Sequence, residues 1–166
     1  PHELKARHLR VNIAGFRLDV MENGESVMHI RVVTGKPFHS TPVFSDRITY
    51  LVMNPSWEVP PSIARRKILP KARKDKNFLR SEGFRVSTGW GDKREGIDPD
   101  SVDWTQITPS TLRYRFTQDP GPLNSLGRVK FMFPNQFQVY LHDTPEKDLF
   151  AKAIRDFSSG CIRVEK

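Results

Sequence analysis

Apolar and polar positions alternate with the period of strands over the first third of the chain. Leu9, Val11 and Ile13 alternate, and then Phe16, Leu18 and Val20 alternate in the opposite phase. A phase flip across Ala14-Gly15 predicts a β-bulge. Asn23-Gly24 predicts a tight hairpin turn into a strand over 27–33. Gly35-Lys36-Pro37 and Thr41-Pro42 mark a loop, and 48–53 reads as a further strand. Strand character returns at 112–116, 129–133 and 137–142.

Between these runs the rhythm breaks. Residues 54–109 are Pro-rich, helix-like in their first half and irregular in their second, and they hold Trp57, Trp90 and Trp104. Ser62 suits a helix N-cap, Gly83 suits the residue past a helix end, and Pro70 predicts a break between them. The expected architecture is mainly β, one domain over 1–166 with an inserted, partly helical subdomain over 55–109.

The last turn of the chain is the most informative. If 137–142 is a strand, Phe137, Val139 and Leu141 share one face, and Gln138, Tyr140 and His142 share the other. Thr144-Pro145 is a good helix start, and Leu149, Phe150, Ala153, Ile154 and Phe157 recur at helical spacing. Ser158-Ser159-Gly160 ends that helix, and strand alternation resumes at Cys161. Ile162 and Val164 are then expected in the core, with Cys161 and Arg163 on the outer face.

Composition narrows the classes. The 166 residues suffice for one ordinary domain, with 37% hydrophobic residues and no run long enough for a membrane helix. There is no signal peptide and the chain opens on Pro1, so it reads as an excised piece of a longer protein. One cysteine excludes an internal disulfide and a thiolate zinc cage, leaving a buried thiol, a reactive one or an intermolecular link. The net charge is +8, concentrated between Pro60 and Arg80, where eight bases face one acid. That run suits a solvated helix face or attraction to an anionic polymer, and no recognition motif accompanies it to indicate nucleic acid. His2 and His8 read as solvent-exposed terminal residues, and His29 and His39 have no carboxylate or cysteine partner at ligand spacing, which disfavours a metal site.

A strand end, a helix and a strand start can bring residues 142 and 161 side by side. Cysteine catalysis needs a thiol nucleophile and an imidazole that takes its proton and later delivers it to the leaving group. Gly160 allows a sharp turn from which nearby N–H groups can serve an oxyanion. Arg163 is a cation able to fork onto a carboxylate. The competing reading is a core cysteine and an unrelated surface histidine. If the imidazole is charged it lowers the thiol's pKa, and His142→Ala should then slow alkylation of Cys161 near neutral pH.

His142, fifteen intervening residues, and Ser158-Ser159-Gly160-Cys161-Ile162-Arg163-Val164 resemble the signature of the YkuD-type L,D-transpeptidases. Residues 11–20, Thr41-Pro42, 48–60, Lys130-Phe-Met-Phe-Pro134 and Leu141-His-Asp-Thr-Pro145 extend the resemblance toward the YcbB-like branch, which carries a capping subdomain. The resemblance implies a β-rich catalytic domain that cross-links peptidoglycan tetrapeptide stems. Cys161 would be the nucleophile and His142 the base and then the acid. The N–H groups of Ser159, Gly160 and Cys161 would be oxyanion donors. Arg163 would hold substrate carboxylate or brace the loop, Tyr140 would wall the pocket or simply pack, and Trp57 would edge the site. The resemblance implies no metal or organic cofactor, acylation of Cys161 by carbapenems, and a periplasmic location near the inner membrane. A synthase or a carboxypeptidase is the implied kind of partner, and no nucleic acid is implied. Two features depart from the pattern: many members carry His where this chain has Ser159, and members usually continue past the position of Lys166. Sortase-like enzymes use the same residue types at much wider His-to-Cys spacing, papain-like enzymes reverse the order, and a non-catalytic wall-binding module would rely on 60–80.

Overall fold

A computed structural model describes residues 4–166, and His2 lies outside the described residues. The chain divides into two compact units, one formed by the stretches up to Met53 and from Leu126 onward, the other by Asn54–Ser125. The first is a seven-stranded mixed sheet. Its strands are β1 (Arg7–Asn12), β2 (Arg17–Glu22), β3 (Glu25–Val33), β4 (Tyr50–Met53), β9 (Val129–Met132), β10 (Leu141–His142) and β11 (Ile162–Val164). They lie in the order β1-β2-β3-β11-β10-β9-β4, with every pair antiparallel except β10 and β11. The second unit holds β5 (Trp57–Glu58), β6 (Phe84–Thr88), β7 (Glu95–Ile97) and β8 (Arg115–Gln118) in the order β5-β8-β6-β7.

The β2–β3 hairpin turns at Asn23 (φ 51°) and Gly24 (φ 89°), with Glu22 opposite Glu25, as the Asn-Gly pair predicts. The phase flip at residues 13–16 is not a bulge. It is a four-residue turn joining β1 to β2, with Asn12 opposite Arg17 and the Asn12 side chain accepting from Gly15 N–H at 2.8 Å. A bulge and a hairpin invert the phase alike, so alternation cannot separate them. The bulge of this sheet sits at Val20/Met21 instead.

In the second unit, residues 61–74 run as one helix through Pro70. Regular α-turns at Pro61–Ile63 and Leu69–Lys74 flank a π-helical turn at Ala64–Ile68, where Leu69 N–H reaches back five residues to Ala64 O. The widened turn just before Pro70 is where the helix accommodates a ring that lacks an N–H and would crowd the carbonyl of the preceding turn. The chain breaks at 75–77 instead, before the short helix Phe78–Ser81. The basic run is tied down in part: Arg65 donates to Pro109 O at 3.0 Å and Arg73 to Thr105 O at 3.3 Å. Ile68, Leu69, Leu79, Phe84, Trp104 and Phe116 form the core of this unit. The strand expected at 112–116 runs instead over Arg115–Gln118, paired with β5 and β6. Buried Asn124 donates to the carbonyls of Pro55, Gln118 and Asp119, fastening the two ends of the unit.

The core of the first unit gathers Leu18, Val32, Phe133, Val139, Leu141, Ile162 and Val164. Of the strand expected at 137–142, only Leu141 and His142 pair. The preceding loop is organised by the Asn135 amide, which donates to Phe133 O and Val139 O and accepts from the N–H groups of Phe137 and Val139. Gln138 there adopts φ 55°. The helix expected after Thr144 is a single 3-10 turn, Lys147–Ala151. Phe150 is buried as the helical spacing implies, but Ile154 is exposed, because the backbone beyond the turn serves β3. Arg155 O accepts from Thr34 N–H at 2.9 Å, and its guanidinium donates to Val32 O, Phe16 O and Lys152 O. Tertiary hydrogen bonds override the local periodicity.

Candidate active site

Parallel pairing of β10 with β11 places Leu141 opposite Ile162 and His142 opposite Arg163. One rung earlier Tyr140 faces Cys161, and Ile162 N–H donates to Tyr140 O at 3.0 Å. Leu141, Ile162 and Val164 turn into the core, so Tyr140, His142, Cys161 and Arg163 share the other face. The thiol and the imidazole are therefore diagonal neighbours, about 8 Å apart at Cα given the strand spacing and rise. Among the described residues no hydrogen bond joins the sulfur to the ring. Such bonds commonly tighten only when substrate is bound.

His142 is buried, and its Nδ1 lies 2.5 Å from Asp143 O. A carbonyl accepts only, so Nδ1 carries the proton and Nε2 is left as the basic nitrogen. Burial pulls the imidazole pKa down to about 4, with the charges of Arg163 and Lys130 adding to the effect and Asp143 opposing it. Burial likewise pushes the Cys161 thiol up, partly offset by hydrogen bonds from Tyr140 and the charges of Lys130 and Arg163. The resting pair is a neutral thiol beside a neutral imidazole. The imidazolium assumed in the alkylation argument from sequence is absent, because a charge at so buried a ring is too costly.

The loop that carries Cys161 is braced from residues 34–41. Ser158 N–H donates to Thr34 O (2.9 Å), Lys36 N–H to Ser158 O (3.2 Å), and Gly35 bridges to Ser158. Thr41 Oγ1 accepts from Gly35 N–H and donates to Gly160 O, both at 2.9 Å. A Cβ on Gly35 would lie 2.1 Å from His39 O, so only glycine lets this brace close. Gly160 adopts φ +119°. Its N–H, one of three expected oxyanion donors, is taken by Ser158 Oγ (3.1 Å), which itself donates to Cys161 O (2.6 Å). The Ser159 hydroxyl is buried and has no hydrogen-bond partner among the described residues.

Residues 6–166 match the YkuD family, described as the L,D-transpeptidase catalytic domain. The chain belongs to this family. A Haemophilus influenzae protein (strain Rd) named "Putative L,D-transpeptidase" is 35% identical over 156 residues, 94% of this chain. The chain spans about a third (31%) of that relative's length.

In this YkuD domain Arg163 forms an ion pair with Glu146, so its guanidinium braces the stretch after His142. The Tyr140 ring lies 5.6 Å from that of His142 and packs against the core beside Cys161. Trp57 belongs to the other unit, half-buried, with its ring 6.3 Å from Phe84. Trp104 is core there, and Trp90 is exposed under the Arg115 guanidinium, 3.3 Å from its ring centroid. His29 does have an acidic partner, Asp19 at 2.6 Å, supplied by the neighbouring strand rather than by sequence proximity. Among the described residues no cluster of three His, Cys, Asp or Glu is placed to hold a metal. Sequence reasoning assigned no role to Lys130, opposite His142 on β9, although its alternation with Phe131 set it on this face.

Proposed function

We propose that this domain is a peptidoglycan L,D-transpeptidase with Cys161 as nucleophile and His142 as the proton carrier. Cys161 Sγ attacks the carbonyl of the third residue, diaminopimelate, of a tetrapeptide stem as its proton passes to His142 Nε2. The tetrahedral intermediate collapses, the C–N bond breaks, and His142 returns that proton to the amine of departing D-alanine. The resulting thioester is opened by the side-chain amine of diaminopimelate on a second stem, whose proton travels through His142 to the sulfur. The product is a 3→3 cross-link and a regenerated thiol.

One observation carries the reading: in a chain of this family, an imidazole on β10 with its Nδ1–H anchored to Asp143 O shares one face with the thiol of the residue that leads into the parallel strand β11. Of the three backbone donors, the N–H groups of Ser159 and Cys161 are then the candidates for the oxyanion, each worth about 3 kcal/mol where such donors have been removed elsewhere. The reading places the protein in the periplasm, acting on the cell wall, and makes carbapenems covalent inhibitors through Cys161.

Intact-mass analysis after incubation with a carbapenem tests it. The wild type should gain the mass of one inhibitor molecule and Cys161→Ala none. Cys161→Ala should also release no D-alanine from a tetrapeptide, whereas release by that variant would overturn the assignment.

A further inference from the structure

Two cations bear on the thiol, and they differ in how they are held. Arg163 is paired with the Glu146 carboxylate, which offsets its charge. Lys130 has no carboxylate partner among the described residues. Its Nζ sits 3.9 Å from the centroid of the Tyr140 ring, and Tyr140 is the residue across the rung from Cys161. Lys130 itself is across the rung from His142 on the other side, so Lys130, His142 and Arg163 of β9, β10 and β11 share one face with Tyr140 and Cys161, which directly precede β10 and β11.

We propose that Lys130 is a positioning residue of this site, supplying the positive charge on which Cys161 ionises, a role an imidazolium at His142 does not fill. The inference rests on the assignment of Cys161 as nucleophile. As the S–H bond breaks and its proton moves to His142 Nε2, negative charge gathers on sulfur and the ammonium of Lys130 offsets it. Lys130 gives up no proton. The Tyr140 ring holds the ammonium through its π face, a contact that orients a cation without neutralising it. The same charge disfavours protonation of His142 and so keeps the base in its accepting form. Burial lowers the pKa of Lys130, and the neighbouring sulfur raises it again. The groups that bear on the thiol are thus Lys130 from β9, Tyr140 just before β10 and Arg163 from β11, while His142 shares their face and Asp143 and Glu146 stand behind it and Arg163.

The test is the pH dependence of Cys161 alkylation by iodoacetamide, which needs no substrate and reads the thiol alone. An ammonium that bears on a thiolate, as Lys130 and Cys161 bear on each other, moves its titration by about one unit or more. Lys130→Met and Lys130→Gln should therefore shift the midpoint upward and slow alkylation at pH 7 about tenfold. Lys130→Arg should restore the wild-type curve to within about threefold. His142→Gln should leave the midpoint in place, because the ring it replaces is uncharged. In the wild type the 13Cε resonance of Lys130 should show a step at the thiol midpoint that disappears in Cys161→Ser, which gives a reading even if the Met and Gln variants do not fold. Superimposable curves for folded Lys130→Met and wild type, a His142→Gln shift as large as that of Lys130→Met, or no Lys130 step in the wild type would each overturn the proposal. Carbapenem adducts failing to form while these shifts appear would instead overturn the reaction and leave the electrostatics standing.

Discussion

At the scale of single residues the site is governed by what burial does to charge. His142 loses its water, sits near Arg163 and Lys130, and titrates at about 4 rather than 6.5. The unfolded chain therefore binds a proton between those values that the folded chain refuses. This contribution to stability is complete above pH 6.5 and is lost as pH falls toward 4, about 3 kcal/mol in all. Urea midpoints should decline from pH 7 to 4.5 in the wild type, and the decline should be shallower in His142→Gln. The same displacement sets the acid limb of kcat/KM near pH 4, and a limb near 6.5 would assign the base to another group. Sequence made the residue types and their order legible at this scale. It could not reveal the charge state, because Lys130 becomes a neighbour of the ring only through strand pairing.

At the scale of elements, the β10–β11 pair was readable in part. Ile162 and Val164 face inward and leave Cys161 and Arg163 on the other face, as alternation predicts. The link between the strands was misread as a helix, because apolar spacing over 149–157 matches a helical stripe while Thr34 N–H and the carbonyls of Phe16 and Val32 claim that backbone and Arg155. The strand expected before His142 failed similarly, since the Asn135 amide satisfies the backbone groups that a neighbouring strand would otherwise take. The Thr41 brace is equally non-local, with Thr41 joining Gly35 N–H to Gly160 O, the latter across 119 residues of sequence separation. Thr41→Val keeps the shape but leaves the half-buried Gly35 N–H without its acceptor and releases Gly160 O. A loss of about 1–3 kcal/mol is expected from denaturant midpoints. A larger fractional fall in the carbapenem acylation rate than in binding should accompany it, since the brace sets where the thiol loop lies.

At the scale of the whole molecule, two cores divide the work. Trp104, Phe84 and Phe116 hold the Asn54–Ser125 unit together, while Leu18, Val32, Leu141 and Ile162 hold the unit that bears Cys161 and His142. The Pro-rich, Trp-bearing composition of that stretch signalled a change of organisation, but its far end was hidden. The β8 strand has the same alternating look as the strands of the other sheet, and only its pairing with β5 and β6 shows where it belongs. Phe116, with no exposed surface, is a point of leverage. Phe116→Ala should cost the second unit about 3–5 kcal/mol. Hydrogen exchange should then show protection falling at 84–88 and 115–118 while 129–132, 141–142 and 162–164 keep theirs, whereas a uniform loss would mean that the two cores melt as one.

The parallel rung also fixes a length. Because successive residues leading into and along β11 alternate between the two sides of the sheet, deleting Ser159 would exchange the environments of Cys161 and Ile162, pointing the sulfur into the greasy interior and an isoleucine at the imidazole's side. The stretch from Pro145 to Ile154, on the surface for much of its course, imposes no such parity. Insertions should therefore be tolerated ahead of the serine pair and lethal to chemistry just behind it.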